Sequence, residues 1–210
     1  MRLIPATRVA LVRNKLLITV IAITFFSIMI ISAVVAYALL LTSPDLMKVI
    51  EDLAGITRTY TVIPPPFTRN LYFLIFLNNI GHFWNPARIW VWIPFIGAFD
   101  LGYELLLNAV AIGAVASFVS LTKGAAYTIA GLTPHGMFEL PAFVLEFAGL
   151  ARWHVTTTRA LYGKLSGRDV DRPLLVEGVK DALMLSLLSV ALFAIAAYFE
   201  TYVTPRFLGL

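Results

Sequence analysis

The sequence predicts an all-α, polytopic integral membrane protein with about five transmembrane helices. Three observations lead there. Hydrophobic residues make up 60% of the chain and charged residues only 13%, against ~45–50% and ~25% in soluble domains. The mean hydropathy is +0.85. Leu16 to Leu41 runs for 26 residues without a charge, where ~20 apolar residues suffice to cross the hydrocarbon. At 210 residues a single transmembrane domain, 1–210, is expected. The absence of cysteine excludes disulfides, thiolate metal sites and thiol catalysis. A net charge of +4 gives no sign of nucleic-acid binding.

Residues 16–41 are the first transmembrane helix. Arg2, Arg8, Arg13 and Lys15 precede it, so its N-terminus is expected in the cytoplasm by the positive-inside rule. The run is too long for the apolar core of a cleaved signal peptide. Residues 43–58 then read as an amphipathic helix on the outer surface. Ser43, Pro44 and Asp45 form a start signal, and Leu46, Val49, Ile50, Leu53 and Ile56 recur at helical spacing. The prolines at 64–66 end it.

Residues 71–151 carry a motif-bearing helical core. Its first part, 71–101, is apolar but broken by Asn78, Asn79, His82, Asn85, Pro86, Arg88 and Pro94. Leu105 to Thr122 is cleaner, preceded by Glu104 and containing Asn108. Residues 152–181 hold six Lys/Arg and four Asp/Glu and are expected to be a cytoplasmic loop. Residues 182–199 are the last crossing, with a short tail outside. Placing both basic segments on one side requires an even number of crossings before Arg152. The first helix plus three within 71–151 satisfies this, and so does one crossing plus a re-entrant hairpin. Two Pro-broken segments also occur in transporters built from discontinuous helices. Trp84, Trp90, Trp92 and Trp153 read as interfacial anchors, and His82 and His154 as interfacial or exposed.

The functional question sits in 130–150, AGLTPHGMFELPAFVLEFAGL. At ~100° per residue, His135, Glu139 and Glu146 fall within ~40° of one another, on one stripe with Ala142 and Gly149. Such groups cost ~2.5–3.5 kcal/mol each at the bilayer centre, so they must be partnered, protonated or hydrated. Thr133 followed by Pro134 is a helix-start signal. A start inside the membrane would free amides for an anion at Thr133, His135 and Gly136. Asn78, Asn79, Glu104 and Asn108 are candidate partners for the stripe. His135 and Glu139 at i,i+4 also suit zinc or manganese, although two ligands do not make a complete set. Structural cross-linking and chemistry are both open to this pair. For Glu146, nearer the end, the structural role is favoured.

These residues resemble a known family. LTPHGMFELPAFVLEFAGL is similar to the PHG…EL signature of the stage II sporulation protein M family, small multi-pass membrane proteins of bacteria and archaea. FLIFLNNI (73–80) resembles its paired-Asn motif, and LLLNAVAIGAVASF (105–118) its Asn-Gly helix, with Asn108-Ala109 in place of Asn-Gly. The matching positions are Asn78, Asn79, Asn108, Pro134, His135, Gly136, Glu139 and Leu140. The resemblance implies a membrane scaffold or assembly factor in envelope or membrane remodelling. Expected partners are lipids, a second copy of the chain and envelope-remodelling proteins. No cofactor is expected, a divalent metal at His135 and Glu139 being the one candidate. The rivals are an intramembrane enzyme, with Glu104 and Asn108 completing a site around His135 and Glu139, and a small transporter or lipid-handling protein.

Overall fold

The computed structural model describes residues 3–43, 45–50, 63–85 and 87–209. The described residues form helices and turns, with no strand among them. The order is α1 (Leu3–Arg13), α2 (Lys15–Thr42), α3 (Arg69–Asn79), α4 (Gly81–Trp84), a 3-10 turn (Ile89–Trp92), α5 (Ile96–Lys123), α6 (Ala125–Leu165), α7 (Arg172–Tyr198), a π turn (Phe199–Val203) and α8 (Thr204–Phe207). Helix α2 matches the expected 16–41 to within a residue at each end. Of the expected 43–58 helix, residues 45–50 are helical, and 51–58 lie outside the described residues.

Three described helices are long and apolar enough to cross a membrane: Lys15–Thr42, Ile96–Lys123 and Arg172–Phe207. A broken segment, 63–95, lies between α2 and α5 in the chain. Helices α2 and α5 run parallel and α6 and α7 antiparallel. The broken segment starts where the Phe67 N–H donates to the Thr201 carbonyl. It passes Glu139 at Asn79 and ends where Val91 packs against Leu150. Its breaks fall at Ile80, Asn85 and Pro94, where the helical runs are interrupted.

Helix α6 corrects one expectation and removes one alternative. It is one continuous helix of 41 residues with Pro134 and Pro141 inside it. No helix starts at Thr133–Pro134; the start is Ala125, after Gly124 at φ 91°. Nor is there a re-entrant hairpin over 124–151. Each internal proline removes one backbone bond and costs ~3 kcal/mol or more in an isolated helix. Burial among neighbouring helices tolerates such residues in membranes. Here every residue from Ala142 to Leu150 is buried, so packing outweighs the local penalty.

The expected loop 152–181 is also corrected. Helix α6 continues to Leu165, and α7 begins at Arg172. The turn between them uses Gly167 at φ 68°, and Asp171 caps the amide of Leu174 at 3.0 Å. The polar composition is that of helix ends whose charges pair with neighbours. Arg13 Nη1 lies 3.1 Å from Asp181 and 3.2 Å from Glu177, and Arg152 Nη2 lies 3.8 Å from Asp181. Asn14, at the break between α1 and α2, donates to the second Asp181 oxygen at 3.0 Å. Both basic segments therefore meet at one end of the bundle.

Small residues set the tightest crossings, as is usual between membrane helices. A Cβ at Gly113 would collide with Ser32 and the Met29 carbonyl of α2, and one at Gly178 with Thr156 of α6. The Ser117 hydroxyl donates to the Ala33 carbonyl at 2.7 Å. Ala109 fits this contact fully buried, so the methyl that replaces glycine in the Asn-Gly pair finds room. Phe25, Phe143, Phe147 and Phe193 fill the centre. The Phe143 and Phe193 rings meet edge to face at 5.0 Å, a favoured geometry.

Candidate functional site

One turn of α6 sets the site. His135 and Glu139 are i,i+4 and face the same way, with His135 Nε2 3.7 Å from Glu139 Oε2. Helix α3 brings Asn79, whose Nδ2 donates to the other Glu139 oxygen at 3.1 Å. The C-terminal segment brings two groups. Thr204 Oγ1 lies 3.2 Å from His135 Nδ1, and Glu200 reaches the cluster from the π turn. Ligand atoms of His135, Glu139 and Glu200 all lie within 4.8 Å of one another. Phe138 packs on Phe199, with ring centroids 4.9 Å apart, and holds the π turn against α6.

A cavity of about 220 Å³ opens beside this cluster, between α2, α5 and α6. Gly136 lies on its wall together with His135, Glu139, Met29 and Ile112. A Cβ at Gly136 would meet nothing within 4 Å, so glycine here leaves space and serves no close contact.

The predicted residues divide cleanly. His135, Glu139 and Asn79 come together. Asn78, its neighbour in the pair, is exposed, while Asn79 is 6% exposed. Glu104 and Asn108 do not join them. Arg88 takes Glu104 at 2.6 Å and Asp100 at 2.8 Å, and Asn108 Nδ2 turns back to the Glu104 carbonyl at 2.8 Å. Trp90 Nε1 adds a bond to Asp100 at 3.3 Å. The expectation that Glu104 and Asn108 complete a site around His135 is therefore overturned, because a strong cation sits closer to Glu104. The anion expectation at Thr133, His135 and Gly136 loses its basis too. Those amides are inside a helix, and Thr133 is exposed. Glu146 is 1% exposed and lies two turns beyond Glu139, within the buried stretch from Ala142 to Leu150.

Histidine 154, expected at the interface, is 4% exposed. Gly97 lets α5 close over it, since a Cβ there would strike the His154 ring and the Val91 carbonyl. The side chain of His82 lies outside the described residues. Trp153 donates to the Trp92 carbonyl at 3.0 Å, and their rings meet at 5.4 Å. These two tryptophans join the 3-10 turn to α6.

Sequence reasoning missed Asp100, Glu200 and Thr204. The rule applied to Glu139, an ionisable group inside an apolar run, applies equally to Glu200 at the end of the 182–199 run. Thr204 before Pro205 repeats the Thr133–Pro134 pattern, and there it does open a short helix.

An uncharacterised protein of Methanocaldococcus jannaschii is 34% identical over 104 residues, covering 49% of this chain and 56% of the relative. The chain thus spans about half the length of that relative. No solved structure matches the chain. The model of the stage II sporulation protein M family matches residues 21–205, which contain Asn79, His135, Glu139, Glu200 and Thr204. With the family pattern running from the first long helix to the segment that closes on His135, the protein belongs to the stage II sporulation protein M family.

Proposed function

We propose that the protein is an integral membrane scaffold or assembly factor that acts in envelope or membrane remodelling as a homodimer. One observation carries this reading. His135 and Glu139 each reach a different distant segment, Thr204 and Asn79 respectively. A motif whose polar groups tie three stretches of chain together fixes the shape of a bundle, as interhelical hydrogen bonds do in membranes. The surface fits the role. Val20, Ile23, Ile30, Ile31 and Val34 leave more than half of their area exposed along α2, an apolar face for lipid or a second copy.

In this reading the chain crosses the membrane five times, with the N-terminus cytoplasmic and the C-terminus outside. The clustering of Arg13 and Arg152 around Asp181 supports one basic, cytoplasmic end. Because the chain has no cysteine, single cysteines placed at Ala6 and at Gly209 report each side by labelling with an impermeant maleimide. Labelling of both from one side sinks the topology.

The scaffold reading is tested with His135→Ala, through its unfolding midpoint and native-gel assembly in detergent. Lower stability or lost assembly is expected. Normal assembly with loss of a chemical activity sinks the scaffold. One observation favours a second reading, an intramembrane enzyme acting on lipid or peptide: the cavity of about 220 Å³ touches both His135 and Glu139. The transporter reading lacks comparable support, since the cavity beside His135 is not lined by Glu104.

A further inference from the structure

We infer that His135, Glu139 and Glu200 form a binding site for a single divalent cation of the zinc or manganese type. This goes beyond the scaffold reading and does not rest on it.

Charge is the first reason. Glu139 and Glu200 place two carboxylates together within the bundle. Among the described residues no Arg or Lys lies in ion-pair distance of either. Like charges in an interior repel strongly, and an uncompensated buried charge is costly. A divalent cation neutralises the pair, while histidine adds a neutral donor.

Spacing is the second reason. Ligands of one tetrahedral ion at ~2.0–2.2 Å stand roughly 3.3–3.6 Å apart. The 3.7 Å between His135 Nε2 and Glu139 Oε2 is too wide for a direct hydrogen bond and close to the span an ion bridges. Glu200 completes the set within the same 4.8 Å. One imidazole and two carboxylates suit zinc and manganese.

The outer contacts are the third reason, and they are independent of the first two. A metal-bound histidine engages its other ring nitrogen in a hydrogen bond, and a ligating carboxylate is itself held by a donor. His135 Nδ1 pairs with Thr204 Oγ1 at 3.2 Å, leaving Nε2 on the Glu139 side. Asn79 holds one Glu139 oxygen and leaves the other turned toward the histidine. Glu200 lies in the π turn Phe199–Val203, a local distortion often found at functional sites. The neighbouring cavity, bordered by His135 and Glu139, has room for water or an exogenous ligand at an open coordination position. Asn79 and Thr204 are positioning residues in this account, and the three ligands come from two segments that close only on folding.

The test uses the full chain, purified in detergent, stripped with a chelator and titrated with Zn²⁺, Mn²⁺ and Co²⁺. Binding of one ion per chain is expected, with an imidazole nitrogen coupling to bound Mn²⁺ in pulsed electron paramagnetic resonance. The near-isosteric Glu200→Gln should bind at least ~10-fold more weakly while eluting from a sizing column like the parent protein. If wild type binds none of the three ions at one per chain, the inference is overturned. It is equally overturned if Glu200→Gln binds as tightly as wild type. Should that variant fail to fold, the wild-type spectrum decides alone: bound Mn²⁺ without imidazole coupling removes His135 from the site and overturns the inference.

Discussion

Two clusters in this bundle each hold a pair of carboxylates, and they are satisfied differently. Around Arg88, Asp100 and Glu104 share one guanidinium at 2.8 and 2.6 Å. Around His135, the imidazole lies 3.7 Å from Glu139, and Glu200 stands within 4.8 Å of both. Arginine is permanently charged and meets carboxylates with a rigid fork of donors. Histidine carries a charge only when protonated. The first cluster is therefore closed by its own residues, while the second calls for a proton or a cation from elsewhere. A closed ion pair positions helices. An unbalanced one, beside a cavity, is where a ligand or an assembly switch is expected.

Breaking the closed cluster should have the largest effect. Arg88→Ala removes the cation that Asp100 and Glu104 share, whose side chains are 19% and 14% exposed, and should destabilise the protein by about 3 kcal/mol, read from its unfolding midpoint in detergent. Adding Asp100→Asn and Glu104→Gln to that variant should restore over roughly half of the loss, since the damage comes mainly from stranded charge. No recovery would mean that packing of the arginine stem dominates.

The open cluster should respond less. Asn79→Ala removes the donor to Glu139 and should cost about 1–2 kcal/mol. The adjacent Asn78→Ala should fall within ~0.5 kcal/mol of wild type, as exposed substitutions do. Equal effects for the two would remove the distinction drawn within the Asn pair. One further effect carries the opposite sign. In chelator-stripped protein, Glu200→Gln should raise stability by up to about 1 kcal/mol, or roughly 2–4 °C in the midpoint, by relieving repulsion with Glu139. A loss of stability there would show that Glu200 already has a partner as good as Arg88.

Much of this was legible in the chain itself. An uncharged run can be read without knowing its neighbours, so α2 appears in sequence at almost its final bounds. The meeting of His135 and Glu139 follows from helical spacing alone. The limits appear where local rules conflict with packing. Thr133–Pro134 carries a start signal, yet the buried stretch from Ala142 to Leu150 keeps α6 continuous through two prolines. The charged 152–181 stretch resembles a loop by composition. Two of its acids, Glu177 and Asp181, however, lie on a helix that meets Arg13 and Arg152, and those contacts join residues more than 160 positions apart in the case of Arg13 and Asp181.

The sequence by itself determined the membrane class, the helical periodicity and the His135–Glu139 pair. These depend on composition and on neighbours three or four residues away, and both are written locally. Only the tertiary structure decided which carboxylates share a cation, that Asn79 rather than Asn78 faces Glu139, and that Glu200 and Thr204 close on His135. Pairings of that kind are chosen by distance in three dimensions. Several acids, amides and cations compete for one another across the bundle, and the winning pair depends on how helices far apart in the chain pack together.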